Sequence, residues 1–74
     1  MLRYAIIIEK AADGGYCAYV PDLAGCVGMG GTHEEVVQNI IEGIKFHLDG
    51  LKLEGLPIPT ANSEAENLIF EYVA

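Results

Sequence analysis

The stretch that decides the fold runs from Asp13 to Leu48 and reads D-G-G-Y-C-A-Y-V-P-D-L-A-G-C-V-G-M-G-G-T-H-E-E-V-V-Q-N-I-I-E-G-I-K-F-H-L. Its opening Asp-Gly-Gly is typical of a tight β-hairpin, because glycine accepts the positive φ angles that such reversals need. The segments on either side, Leu2–Glu9 and Tyr16–Val20, alternate as strands do. We therefore expect them to pair in antiparallel fashion.

A proline bend and then a helix are predicted beyond this hairpin. Pro21 has no amide hydrogen to give to a central strand, so the second strand should end there. The segment 26–30 can form a third short strand, although its glycines favour a bulge or a close backbone approach. Thr32 and Glu35 match a capping box, which predicts a helix that begins at His33.

The helix carries an apolar stripe that is expected to pack on the sheet. At about 100° per residue, the core-facing side chains are predicted to be Val37, Ile40, Ile41, Ile44, Leu48 and Leu51. Further along, the alternation from Leu68 to Val73 predicts a fourth strand. The expected fold class is α+β, a two-layer β-β-β-α-β sandwich with an antiparallel sheet of three to four strands and one helix on one face. A single domain should span residues 1–74.

Size and composition narrow the classes of function. A chain of 74 residues has a thin core and often gains stability from a second subunit. Eleven acidic residues against four basic ones give a net charge of -7, which disfavours direct nucleic-acid binding and suits a cationic partner, although it also serves solubility. The chain has no membrane-spanning apolar run and no leader pattern, so a cytoplasmic location is expected, with reduced thiols.

Neither catalysis nor a cofactor is expected. The carboxylates that could serve a metal-dependent nuclease are Glu9, Asp13, Asp22, Glu34, Glu35 and Glu71. Turn chemistry and the helix start already account for most of them. The side chains that could bind zinc are Cys17, Cys26, His33 and His47. Their spacing fits no compact ligand motif, so no metal site is predicted.

Four segments together carry a resemblance to a known family. They are Asp13-Gly14-Gly15-Tyr16, Val20-Pro21-Asp22-Leu23-Ala24-Gly25-Cys26, Gly31-Thr32-His33-Glu34-Glu35 and Gly55-Leu56-Pro57-Ile58-Pro59. In this order and spacing they resemble the HicB-like antitoxins, whose pattern is a D-G-G-Y hairpin, a (V/F)-P-D-L-P-G-C bend, a Gly-Thr helix start and a G-x-P-I-P exit. Ala24 departs from the usual proline of this pattern, and Gly43 departs from the usual alanine.

The resemblance implies a truncated ribonuclease H fold that performs no reaction. Such an antitoxin would cover the active surface of HicA, a small basic toxin that cleaves messenger RNA. Many family members continue into a segment that binds operator DNA, and this sequence shows none up to Ala74. Autoregulation by this chain alone is therefore not expected.

Two groups of residues are predicted to make contacts with other molecules. The residues predicted to contact the toxin are Tyr16, Asp22, Glu34 and Glu35. The residues predicted to form an interface between copies are Asn39, Gly43, Phe46 and Gly50, on the side of the helix away from Val37. An outward phenylalanine beside two helix glycines favours a close-packed partner, and a homodimer or tetramer is expected.

Two alternative functions stay open from the sequence. One is a stand-alone oligomeric module that binds another protein or a small ligand without any toxin. The other is a residual metal-dependent nuclease, which would need Asp13 or Asp22 for cleavage. A neighbouring gene for a small basic protein would favour the antitoxin, and magnesium-dependent RNA cleavage would favour the nuclease.

Overall fold

The computed structural model describes residues 2–73, in which three strands precede one helix. The elements are β1 (Ile7–Lys10), β2 (Tyr16–Tyr19), β3 (Val27–Gly30) and α1 (His33–Leu53). The sheet is antiparallel in the order β1-β2-β3, and α1 packs on β3 and β2. The predicted α+β class is confirmed. Within residues 2–73, no helix combines the length and apolarity that a membrane crossing needs.

The hairpin between β1 and β2 forms where it was predicted. Gly14 takes a φ of 92°, and the Asp13 carboxylate accepts a hydrogen bond from the Gly15 N–H at 2.9 Å. The pairing places Lys10 opposite Tyr16. β1 begins at Ile7 and not at Leu2, so the first strand is shorter than the sequence pattern suggested.

The helix begins at His33, as the capping box predicted. The Thr32 hydroxyl accepts a hydrogen bond from the Glu35 N–H at 3.1 Å. The Glu35 carboxylate reaches back to the Gly31 N–H at 3.2 Å, one residue earlier than the usual capping-box partner. The helix ends at Leu53, beyond which Gly55 takes a φ of 71°.

The core lies between the helix and β2–β3. Its buried side chains are Ala18, Val20, Leu23, Cys26, Val36 and Ile40. The predicted stripe was partly wrong, because Val36 is fully buried whereas Ile41 is 41% exposed. The cause is β3: a Cβ on Gly28 would lie 3.3 Å from the Ile40 backbone, and one on Gly30 would lie 2.6 Å from the Val36 nitrogen. Because Gly28 and Gly30 have no side chains, the Val36 side of the helix packs closely against β3.

The predicted fourth strand is not formed, since residues 56–73 contain no strand. The Tyr4 hydroxyl donates a hydrogen bond to the Pro59 carbonyl at 2.6 Å. Asp22 then binds Asn62 and Ser63. These contacts fasten residues 59–63 to the domain, and every residue from Glu64 to Val73 is exposed. Despite its alternating pattern, this stretch therefore does not pair with the sheet of its own chain.

Candidate partner-binding surface

Three of the four predicted toxin contacts lie together at one corner of the molecule. Tyr16 opens β2, and its ring meets the His33 ring edge-on, with 6.0 Å between centroids and an interplanar angle of 89°. Glu34 and Glu35 follow His33 in the first helical turn and are exposed. We call Tyr16, Glu34 and Glu35 the acidic corner. It combines an aromatic ring with two carboxylates near a helix N-terminus.

Asp22, the fourth predicted contact, lies beyond the other end of β2. Its carboxylate accepts hydrogen bonds from the Asn62 N–H, the Ser63 N–H and the Ser63 hydroxyl, each at 3.0 Å. The Ser63 backbone N–H is the main reason that the pKa of Asp22 lies below its ordinary value, and partial desolvation opposes this shift. The carboxylate is thus engaged by its own chain, away from the acidic corner.

The acidic corner continues along the outside of the helix. Glu42 is exposed two turns after Glu35, and no lysine or arginine precedes Lys45 in α1. Acidic side chains at positions 34, 35 and 42 therefore give the first half of the helix a negative surface. A positively charged partner would be attracted to this half.

The four residues predicted to join copies occupy the flank of the helix next to β3. The Asn39 side-chain amide donates a hydrogen bond to the Met29 carbonyl at 2.6 Å. A Cβ on Gly43 would lie 3.9 Å from the Val27 carbonyl oxygen. Asn39 and Gly43 therefore pack against their own strand. The Phe46 ring is 82% exposed, and Gly50 has open space beside it.

The groups that could perform chemistry are dispersed or already engaged. Asp13, Asp22 and Glu35 each accept a backbone N–H, and residues 2–73 contain no cluster of three or more metal-ligating side chains. Both cysteines are free thiols, and burial raises the pKa of the Cys26 thiol. Three of the carboxylates thus hold backbone of their own chain.

Two features of the surface were missed from the sequence. The Asp22–Ser63 contact joins residues 41 positions apart, and no local pattern marks such a pair. The other feature is the exposure of Leu68–Val73, whose alternation is typical of a strand within a sheet. The alternation itself was visible, but the sequence does not say to which sheet it belongs.

Comparisons with known proteins agree with this geometry. A family model described as HicB-like antitoxin of bacterial toxin-antitoxin system matches residues 4–71. A UPF0150 protein of Synechocystis sp. is 45% identical over 57 residues, which cover 77% of this chain and 72% of the relative. A UPF0150 protein of Thermoplasma acidophilum is 40% identical over 63 residues, which cover 85% of this chain and 91% of the relative.

A solved structure gives the same result in three dimensions. A chain of the HicA3 and HicB3 toxin-antitoxin complex matches with a TM-score of 0.69 and 33% identity, over 82% of this chain and 70% of that chain. Fold and surface define a small α+β domain of the kind found in toxin-antitoxin proteins. The chain belongs to the HicB-like antitoxin family.

Proposed function

We propose that this chain binds and neutralises a small basic toxin, an mRNA-cleaving ribonuclease of the HicA type, by covering its active surface. The observation that carries this function is the match to a chain of the HicA3 and HicB3 complex over 82% of the present chain. The net charge of -7 supports it, because opposite charges on two partners accelerate their encounter.

The acidic corner and Glu42 form the surface that meets the toxin. They lie on one side of the molecule and expose three carboxylates. Tyr16 adds a half-buried aromatic ring, a residue type that is frequent at the centre of interfaces. Asp22 fastens residues 62–63 to the domain, and we assign it a structural role.

Neutralisation by this chain is a matter of occlusion and requires no chemistry from it. The carboxylates of Asp13, Asp22 and Glu35 hold turns, the 59–63 segment and the helix start. An antitoxin that acts by covering a catalytic surface needs shape and charge that complement the toxin. Its activity should therefore be independent of added divalent metal.

Association kinetics test the proposed surface. The probe is the small basic protein encoded beside the gene for this chain, with its association rate measured at low and high salt. The double variant Glu34→Gln/Glu42→Gln should associate several-fold more slowly at low salt, with the difference shrinking as salt screens the charges. The control Glu9→Gln/Glu54→Gln removes the same charge from exposed positions in another region. Equal slowing by both variants would contradict this surface.

Self-association through the helix flank is a second part of the proposal. Phe46 and Gly50 are open to solvent on this flank, and an exposed phenylalanine ring favours a partner. We propose that this flank helps to form the homodimer or tetramer. Sedimentation of Phe46→Glu beside the parent protein tests it, and an unchanged oligomer would remove Phe46 from the interface.

A further inference from the structure

The segment 67–73 leaves the body of the molecule. Within residues 2–73, the hydrogen bonds of Asp22 with Ser63 are the last that join this part of the chain to the domain, and every residue after Ser63 is exposed. The longest extent of the protein is 53 Å, and its radius of gyration is 14.7 Å. A folded domain of this length has a radius of gyration of about 11 Å. The difference reflects a segment that projects from the domain.

The projecting segment has the composition of an interior strand. Its large apolar side chains are 71–101% exposed and are Leu68, Ile69, Phe70, Tyr72 and Val73. Aromatic and β-branched residues of this kind favour a pleated, half-buried surface. An exposed, contiguous apolar stretch of this size is typical of a surface that binds a partner. The side chains at 68, 70 and 72 share one face of an extended strand, and Glu71 lies on the other.

An open edge of the sheet lies along β1. β1 is an edge strand, since within residues 2–73 it pairs with β2 alone. A groove runs between α1 and residues 2–6, which lead into β1, and its apolar lining includes Leu2, Ile6, Ile41, Ile44 and Leu48. An edge strand next to an open apolar groove is a ready site for an added strand.

Charge complementarity identifies the occupant of this groove. The groove is rimmed by Arg3 and Lys45, two of the four basic residues in the chain. Glu66, just before the projecting segment, falls on the same side of an extended chain as Leu68 and Phe70. An acidic, apolar strand fits a basic-rimmed, apolar groove, whereas a basic toxin would be repelled by the same rim.

We propose that segment 67–73 of one copy adds as a fourth strand to the β1 edge of a second copy, and that the exchange is reciprocal. Leu68, Phe70 and Tyr72 then fill the groove over Ile41 and Ile44. Glu71 faces the open side of the sheet. A reciprocal exchange forms a closed two-fold dimer, in which each sheet is completed by the partner. This interface does not depend on a toxin.

Cross-linking between two variants tests the exchange directly. Chains carrying Phe70→Cys and chains carrying Ile41→Cys, both with Cys17→Ser, are co-expressed and oxidised. A disulfide-linked band at twice the chain mass is expected. Leu53→Cys is the matched control for Phe70→Cys, because the two side chains are 89% and 79% exposed. This control should give no band with Ile41→Cys, since Leu53 is the last residue of α1 and belongs to neither proposed interface.

A double variant with Phe70→Cys and Ile41→Cys in one chain distinguishes exchange from closure within a chain. An internal disulfide in a monomer, or no band in the mixture, would overturn the exchange. Light scattering adds a mass measurement on the full chain: Phe70→Glu should lower the mass of the oligomer at least twofold. An unchanged mass for Phe70→Glu would also overturn it. A toxin-binding defect with intact cross-linking would bear on the proposed function alone.

Discussion

Asp22 receives two hydrogen bonds from Ser63, one from its backbone N–H and one from its hydroxyl, each at 3.0 Å. The residues are 41 positions apart, so the contact ties the turn after β2 to the segment after the helix. Together with the bond from the Tyr4 hydroxyl to the Pro59 carbonyl, it sets the point from which segment 67–73 departs. The Asp22 carboxylate thus contributes to the stability of the fold and fixes the position from which segment 67–73 projects.

Asp22→Asn should loosen residues 59–63 at neutral pH, because the amide has only one acceptor oxygen and lacks the charge that strengthens the hydrogen bonds from Asn62 and Ser63. The pKa of Asp22 is lower in the folded protein than its ordinary value of 3.8. Its stabilising effect is therefore complete above that value and is lost as the pH falls through the folded pKa. Thermal unfolding should show the variant less stable at pH 7, with the difference shrinking as the pH falls below 3.8. A pH-independent difference would contradict this account, and Asp13→Asn is the control.

Gly30→Ala should destabilise the protein, whereas Gly50→Ala should not. A Cβ at Gly30 would lie 2.6 Å from the Val36 nitrogen. Both Gly30 in β3 and Val36 in α1 present backbone at this point, and neither can move aside easily. Overpacking of this kind costs about 1–3 kcal/mol or more. Gly50 lies in the helix, and a Cβ there would meet no atom within 4 Å. Alanine at this position should therefore raise the free energy of unfolding by up to about 1 kcal/mol. Urea unfolding gives the free energy of unfolding of both variants. Equal changes in the two would contradict the packing of β3 against α1.

Thr32→Ala should remove the cap of the helix and lower the free energy of unfolding by about 1 kcal/mol. The Thr32 hydroxyl accepts the Glu35 N–H at 3.1 Å, which satisfies a donor that the helix itself leaves free. Thr32→Ser keeps the oxygen and should retain most of the stability. Chemical denaturation of the three proteins gives the comparison, and a serine variant as unstable as the alanine variant would argue against the cap.

The two thiols should differ in reactivity. Cys26 is buried, and desolvation raises the pKa of its thiol above the ordinary value of 9.0. Cys17 is half-buried. With an aromatic disulfide reagent at pH 8, the faster reaction should belong to Cys17 and should disappear in Cys17→Ser. A fast reaction that survives in Cys17→Ser would show that Cys26 is more accessible than the packing indicates.

Local chemistry made much of the fold predictable from the sequence. The Asp-Gly-Gly hairpin and the Thr32 cap are each decided within four residues, and both form as predicted. The helix face was harder to place, because Val36 becomes central only through the glycines of β3. Periodicity reports an apolar side of a helix, but the neighbouring backbone decides which of its residues is deepest.

Long-range contacts explain what the sequence did not reveal about the surface. Tyr16 and the first helical turn meet because β2 and α1 both begin at the same corner. Asp22 was predicted to contact the toxin together with them, and its oxygens bind Asn62 and Ser63 at the other end of the sheet. A partner some forty residues away leaves no local signature, so its position required the structure.

Growth rescue tests the central claim most directly. The small basic protein encoded beside the gene for this chain is induced with and without the chain, and growth, a stable complex and mRNA cleavage by the purified pair are followed. The account predicts that the chain restores growth, co-purifies with the toxin and stops cleavage without any added metal. A folded chain that leaves both growth arrest and RNA cleavage unchanged would contradict it.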